Sequence, residues 1–268
     1  MNKIAIITGA GKLPTLFLEE AVDKGYEVYP IYLFDGVDNK IKEYANSVKY
    51  SIAQVGKIIK YLKSKEISKL IMLGKVEKNL IFSNLKFDLV ATKILMSTRN
   101  KKDKNILMAI INHLEKEGIE VLPQNFLMDR YMAKEVEYTR RKALPDDMKT
   151  IEIGIEAARM LTAIDAGQTV VVKNESVVAL EGVEGTDKTI ERAGEYAGKD
   201  CIVVKMARPN QDYRIDIPTI GIDTVKKAAE IKAKGIVIES EHMLFIDQEE
   251  VINFADKNKI FIKGIKYE

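Results

Sequence analysis

The sequence predicts two successive α/β domains: an N-terminal Rossmann-like domain with a parallel sheet, then a C-terminal α+β domain with a mixed sheet. Three observations predict this. Short apolar runs alternate with helix-length amphipathic runs through the first half, the grammar of strands joined by crossover helices. The second half carries a hairpin signal and more closely spaced elements. Between them, "MDRYMAKEVEYTRRKALPDDMK" (Met128 to Lys149) is dense in charge, lacks apolar periodicity and contains Pro145. We read 1–128 as the first domain, 129–149 as a linker and 150–268 as the second domain; both lengths are ordinary for domains.

In order, "KIAIIT" is a strand that stops in a Gly-rich turn. Pro14 stands where a first helical turn tolerates a missing N–H, opening "PTLFLEEAVDKG", which Gly25 closes. "EVYPIYL" is the second strand. "AQVGKIIKYLKSKEI" puts Val55, Ile58, Ile59 and Leu62 on one helical face. "SKLIMLG" is a strand ending at Gly74, "FDLVATKILMS" and "KNILMAIINHLEKEG" are helices, and "IEVLP" is a strand. In the second half, "TIEIGIEAARMLTAI" is a helix, and "QTVVVKNESVVALE" is a hairpin around Asn174-Glu175. A helix "TDKTIERAGEYA" follows, then strands "CIVVKMA" and "YRIDIP". The chain continues with helix "DTVKKAAEIKAKG", strands "GIVIES" and "MLFID", helix "QEEVINFADKN" and strand "IFIKGI".

Composition excludes several function classes. The 268 residues are 46% hydrophobic and 31% charged, which suits globular domains with real cores. A formal net charge of +2 argues against a nucleic-acid binder driven by a basic face. One cysteine, Cys201, cannot form an internal disulfide, suits a reducing cytoplasm, and reads as core within "CIVVKMA". With only two histidines, His113 and His242, a His-rich zinc site is not expected. No apolar stretch reaches the roughly 18–20 residues of a transmembrane helix, so a soluble protein is expected.

Three stretches hold candidate chemistry. "TGAGKLP" (Thr8 to Pro14) is a glycine turn between strand and helix, a geometry that presents backbone N–H groups to an anion. It is not a P-loop, because Ile6 and Leu13 stand where that motif needs Gly and Ser or Thr. It matches a dinucleotide fingerprint at Gly9 and Gly11 but has Pro14 in the third glycine's place, and Asp35 lies late for a ribose-binding acid. A plain glycine turn and a phosphate site both remain open. "LGK" ends another strand with Gly74, which allows close backbone approach, and Lys75, which could meet a phosphate or simply be solvated. The third is a polar set in the second half: Asp165 and Gln168 in "DAGQ", and Glu184, Thr186 and Asp187 in "EGTD". Thr186 or Asp187 could instead be a helix N-cap. In "DYRIDIP", read as a strand, Asp212, Arg214 and Asp216 share one face. That row is either a solvated surface with an Arg–Asp pair or a carboxylate oriented by Arg214 to hold Mg²⁺ or a water.

The ordered blocks "GAGKLP", "VGKIIKYLK", "LGKV", "DAGQTVVVKNESVVALEGVEGTD", "KMARPNQDYRIDIPTIG" and "GIVIES" resemble the metal-dependent UDP-2,3-diacylglucosamine pyrophosphatases of the lipid A pathway. The resemblance spans nearly the whole chain. It implies a Rossmann-like domain, a linker and a distinctive C-terminal domain. It implies Mg²⁺-dependent hydrolysis, with Mn²⁺ an alternative, of a lipid-linked UDP-sugar to UMP and 2,3-diacylglucosamine 1-phosphate. The family's essential acid falls on Asp216, and Thr186 and Asp187 fall in its site. Gly11 and Gly74 fall against the substrate; Lys12, in a turn where the family often shows three glycines, Lys75 and Gln168 are further candidate substrate contacts. On this reading Asp216, with Asp187 or Glu184, supplies metal carboxylates, and Lys205 and Arg214 hold phosphate oxygens. The Met-containing "KILMS" and "NILMAIIN" either line an acyl groove or are ordinary helix core. Such an enzyme is expected in the cytoplasm, peripheral to the inner membrane face, binding no nucleic acid and compatible with a homodimer. The rivals are an NAD-dependent oxidoreductase, resting on Gly9 and Gly11, and a nucleotide- or lipid-binding module without turnover.

Overall fold

The computed structural model describes residues 2–76, 86–98 and 103–267. Its first half is built on β1 (Lys3–Thr8), β2 (Glu27–Tyr32), β3 (Val48–Lys49), β4 (Lys69–Leu73) and β5 (Glu120–Leu122). Their order in the sheet is β3-β2-β1-β4-β5, and every pair is parallel. Strand succession reverses between β1 and β4, which leaves a crevice at their carboxyl ends. The connecting helices are α1 (Leu13–Asp23), α2 (Asn39–Lys42), α3 (Val55–Ser64), α4 (Leu89–Ser97) and α5 (Asp103–Lys116). Helices cover the sheet, so the strands read as continuous apolar runs rather than alternating ones.

Val55, Ile58, Ile59 and Leu62 of α3 are buried, as their spacing requires. They pack with Ala5, Ile31, Leu70 and Val121 from the sheet and with Ile94 and Ile111 from α4 and α5. Asp88 fixes α4 against α3: one carboxylate oxygen accepts Ala91 N (2.8 Å) and the other accepts Gly56 N (2.7 Å). The two Met-containing stretches divide. Ile94 and Ile111 are core and Met108 packs at its margin, while Met96 is 82% exposed. Residues 212–216 belong to this N-terminal unit although the chain on either side of them does not.

The C-terminal unit comprises Asp129–Gln211 and the chain from Ile217 onward. Its sheet contains β6 (Thr169–Lys173), β7 (Ser176–Leu180), β8 (Ile202–Lys205), β10 (Gly235–Glu239) and β12 (Phe261–Ile265), in the order β12-β10-β8-β6-β7. β8, β10 and β12 run parallel, and β6 is antiparallel to both β8 and β7. A separate parallel pair joins β9 (Thr219–Ile220) to β11 (Leu244–Phe245). The hairpin turns at Asn174 and Glu175, whose φ angles of 47° and 59° give a turn that matches strand twist. Helix α6 (Pro145–Ala163) covers one face, packing Ile151, Ala158 and Leu161 on Val170, Val172, Val204 and Phe261. Helices α7 (Thr186–Ala197), α8 (Ile222–Glu230) and α9 (Gln248–Lys257) cover the other, packing Ile190, Val225 and Val251 on Val171, Val203, Ile238 and Ile262. Cys201 is buried in that second core.

Residues 129–149, expected as a linker, are instead tied into the C-terminal unit. Ala133 N donates to Met243 O (2.9 Å), Tyr138 N to Ile262 O (2.9 Å), and Thr139 Oγ1 accepts Ile262 N (2.8 Å). Tyr131, Ala133, Thr139 and Asp147 are buried between exposed charges, and α6 starts at Pro145. The segment is a strap held by backbone hydrogen bonds to distant strands, which leaves no apolar period to read.

Close approach of that strap explains Gly264. A Cβ there would lie 1.9 Å from Lys134 O, a backbone atom that cannot rotate away. Gly264→Ala should therefore cost about 1–3 kcal/mol, as overpacking does, and lower the thermal midpoint by several degrees in calorimetry. An unchanged midpoint would show that the strap is not held there.

Candidate functional site

Two glycine turns meet at the carboxyl ends of β1 and β4. Gly9 N donates to Leu73 O (2.7 Å), Ala10 N to Lys75 O (2.8 Å), and Lys75 N to Ala10 O (2.9 Å). A Cβ on Gly9 would lie 2.5 Å from Lys75 O, and one on Gly74, at φ 89°, would lie 2.7 Å from Gly9 C. The stretches "TGAGKLP" and "LGK" are thus one structural element, and these two glycines are needed so that the backbones can touch. Gly11 differs: its φ is 104° and a Cβ would meet nothing within 4 Å, so the turn is open there. Lys12 follows as the residue flanking α1, whose N-terminal end has no side-chain cap, and Pro14 is buried in its first turn. Lys12 and Lys75 are both exposed. An open glycine, an uncapped helix end and two lysines at a strand-order reversal suit a phosphate. Asp35, the sequence's candidate ribose-binding acid, is paired with Lys49 at 2.6 Å, which holds its carboxyl below the usual range.

Residues 212–216 form a turn, not the expected strand. Asp212 Oδ1 accepts Arg214 N (3.0 Å), while Asp212 O accepts Ile215 N (3.0 Å) and Asp216 N (3.3 Å). A short acidic side chain bonding its own backbone two residues on competes with a strand ladder, and here it wins. The three charges therefore do not share a face. Arg214 Nε and Nη2 donate to the two oxygens of Asp212 (3.0 and 2.8 Å), and Nη1 donates to Glu115 Oε1 on α5 (2.8 Å). The hydrogen bonds from Arg214 hold the Asp212 carboxyl below its usual range against partial burial, and the Asp212 partner in turn raises the Arg214 guanidinium. Arg214 thus braces the turn, and Asp216, two residues on, is exposed.

Gln124, just past β5, was not singled out in the sequence. Its backbone N donates to Tyr213 O (2.7 Å), and its Nε2 donates to Met72 O (2.8 Å) and Ile215 O (3.0 Å). Ile215 packs against the N-terminal core. The only local signal was a polar residue directly after the strand "IEVLP".

In the C-terminal unit the polar set converges on Glu181, also not singled out. Gln168 N donates to Glu181 Oε2 (3.0 Å), and Thr186 Oγ1 donates to Glu181 Oε1 (3.2 Å). The Thr186 and Thr169 hydroxyls are 3.1 Å apart. Lys205 pairs with Thr169 in strand register, and its Nζ donates to Thr219 O (3.0 Å). The N-cap of α7 is Gly185, at φ 83°, rather than Thr186 or Asp187, and Asp187 is exposed in the first turn. Glu184 is engaged by Arg192 (2.6 Å) and Thr189 (3.3 Å); its own backbone N–H and Arg192 lower its carboxyl. Buried Glu239 accepts Ala207 N (2.7 Å) and pairs with Arg159.

Among the described residues, no three His, Cys, Asp or Glu side chains come together as a metal cage. Mg²⁺ often takes only one or two protein carboxylates, its shell completed by substrate oxygens and water. Asp216 in the N-terminal unit and Asp187 in the C-terminal unit are each exposed, whereas Glu184 is committed to Arg192.

Comparison with known proteins matches residues 3–131 to the LpxI N-terminal domain and residues 134–263 to the LpxI C-terminal domain. The chain is also 29% identical to the UDP-2,3-diacylglucosamine pyrophosphatase LpxI of Caulobacter vibrioides, over 99% of this chain and 98% of that relative.

The lowered Asp212 carboxyl has a pH signature. A depressed folded-state pKa contributes stability that is present above the unfolded value, about 3.9, and is lost as pH falls through the folded value. The thermal midpoint of Asp212→Asn should therefore lie below wild type at neutral pH. The gap should close as pH falls below about 4. Paired melts across pH measure it, and a gap independent of pH would remove the brace.

Proposed function

Because the chain belongs to the LpxI family, both of whose domains it carries, we propose that it is an enzyme that hydrolyses the pyrophosphate bond of UDP-2,3-diacylglucosamine in lipid A biosynthesis. The products are UMP and 2,3-diacylglucosamine 1-phosphate. The observation that carries this reading is the end-to-end match to both family domains together with a whole-chain relative of that name.

The chemistry asked of the chain is modest. A water oxygen bonds to phosphorus, the bridging P–O bond breaks, and the leaving phosphate keeps the electron pair. The Gly11 turn and the start of α1 supply backbone N–H groups for phosphate oxygens, and Lys12 and Lys75 offset their charge. Asp216 is the proposed catalytic acid residue: its carboxylate takes the proton from the attacking water, holds the metal, or does both. Asp187 is a further proposed ligand. Mg²⁺, or Mn²⁺ in its place, supplies charge neutralisation at the phosphates and a more acidic water. Lys205 remains a proposed phosphate contact. Arg214, directed at Asp212 and Glu115, moves from that role to bracing the turn. No described helix is long and apolar enough to cross a membrane, and we propose that the acyl chains are met at the cytoplasmic membrane surface.

Purified protein given UDP-2,3-diacylglucosamine and Mg²⁺ should release UMP. EDTA should abolish the release, and excess Mg²⁺ or Mn²⁺ should restore it; full turnover in EDTA would sink the metal assignment. Removing a general base typically costs about 10²–10⁴-fold in rate. Asp216→Asn should accordingly lose at least about 10²-fold in kcat while KM stays within about tenfold (roughly 1.4 kcal/mol). Asp212→Asn should lose clearly less. An Asp216→Asn protein that keeps more than about a tenth of wild-type kcat would end the assignment of Asp216.

A further inference from the structure

We propose that Gln124 is a positioning residue that sets Asp216 against the Gly9–Gly74 turns, an inference that rests on the role of Asp216 given above. Asp216 lies within the part of the sequence matched to the C-terminal family domain, yet residues 212–216 are packed into the N-terminal unit. Something must hold them there, and the hydrogen bonds say what. Gln124 is 8% exposed. Its backbone N–H is bonded to Tyr213 O at 2.7 Å. Its carboxamide nitrogen is bonded to Met72 O at 2.8 Å, two residues before Gly74, and to Ile215 O at 3.0 Å, one residue before Asp216. A single planar NH₂ group thus spans from the strand that leads into the glycine turn to the peptide that leads into the proposed catalytic acid.

The chemistry of that contact is specific. Both partners are carbonyl oxygens, so the amide can face them only with its nitrogen, and both of its hydrogens are used. A carboxylate in its place would present oxygen to two carbonyls. An apolar side chain would leave the two carbonyls without these donors. Other holds on the turn act elsewhere: Arg214 ties it to α5 through Glu115, and half-buried Ile215 packs against the core. Gln124 links the peptide beside Asp216 directly to β4, two residues before Gly74. Misplacing a reacting group by about 1 Å costs on the order of 10²-fold in rate, so loss of this link should appear in kcat.

The test compares Gln124→Leu, Asp216→Asn and the double variant in the UMP-release assay with UDP-2,3-diacylglucosamine and Mg²⁺. Gln124→Leu should lower kcat about 10–100-fold with KM changed less than about threefold. In the Asp216→Asn background the same substitution should change residual kcat less than about twofold, because it acts through Asp216. A residue that only stabilises the core would lower the thermal midpoint and leave kcat of the folded protein alone. Gln124→Met, which removes both N–H groups but keeps length and flexibility, serves if Gln124→Leu does not fold. Wild-type native-state hydrogen exchange tests the docking without any variant. Amides 213–216 should open together with β5 and Gln124 rather than with the flanking 206–211. Independent exchange of 213–216 overturns the inference. So does a Gln124→Leu kcat within twofold of wild type while Asp216→Asn is inactive, and in that case the functional reading still stands. An active Asp216→Asn instead brings down the functional reading and, with it, the role given to Gln124.

Discussion

One carboxamide joins pieces of chain that lie far apart in sequence. Gln124 Nε2 bonds the end of β4 at Met72 and the turn at Ile215, and its backbone N–H bonds Tyr213. The consequence is topological. The chain leaves β8 of the C-terminal unit, contributes residues 212–216 to the N-terminal one, and resumes the C-terminal fold at β9. Both ends of the excursion are fixed within the C-terminal unit: Met206 N donates to Gln168 O (3.0 Å), Ala207 N donates to Glu239, and Leu244 N donates to Pro218 O (2.8 Å). A division of the sequence into two halves therefore assigns Asp216 to one body, while the bonds of Tyr213, Arg214 and Ile215 tie the turn that carries it to the other.

The glycine turns lie in the same N-terminal unit as residues 212–216. In a parallel sheet, carboxyl strand ends and helix N-termini gather on the same side, so positive dipole ends collect at the strand-order reversal. Here the two turns at that point are bonded to each other so closely that Gly9 and Gly74 have no room for a side chain. Their backbone groups serve the fold. Of the three, Gly11 is the one whose surroundings are open, with nothing within 4 Å of an added Cβ. Three glycines that read alike in sequence thus divide into two that close the structure and one that leaves it accessible.

Most of the fold was legible because it obeys local periods. The α3 face Val55, Ile58, Ile59, Leu62 and the hairpin around Asn174-Glu175 follow from side-chain spacing and turn chemistry alone. What was not legible depends on partners distant in sequence. The strap at 129–149 is held by backbone bonds to Met243 and Ile262, and no local pattern announces such bonds. "DYRID" alternates polar and apolar residues as a strand does, but the Asp212 carboxylate bonds Arg214 N and closes a turn. Gln168 and Thr186 read as separate polar residues, and the residue that joins them, Glu181, stands last in the hairpin run "QTVVVKNESVVALE". The role of Gln124 was not legible from its place after a strand, since its partners at Met72 and Ile215 are carbonyl oxygens, which sequence does not distinguish.

The acid–base–acid spacing of Asp212, Arg214 and Asp216 can then be understood as a division of labour. Asp212 and Glu115 both face the Arg214 guanidinium, so the brace carries two carboxylates on one cation. Side chains of Asp212 and Arg214 are 27% and 29% exposed, intermediate between the surface pairs that contribute little and buried pairs whose desolvation cancels their attraction. The contribution of such a pair is chiefly geometric. A planar fork bonded to both oxygens of one carboxylate fixes distance and orientation together, and the third bond to α5 refers that geometry to a helix. Asp216 lies just beyond this fixed frame, on the exposed side of the turn. Moving the acid one residue would exchange its side chain's direction for that of Ile215, which packs against the core. The spacing of charges is therefore set by the turn and the core together, with the acid at the first position past the brace that faces outward.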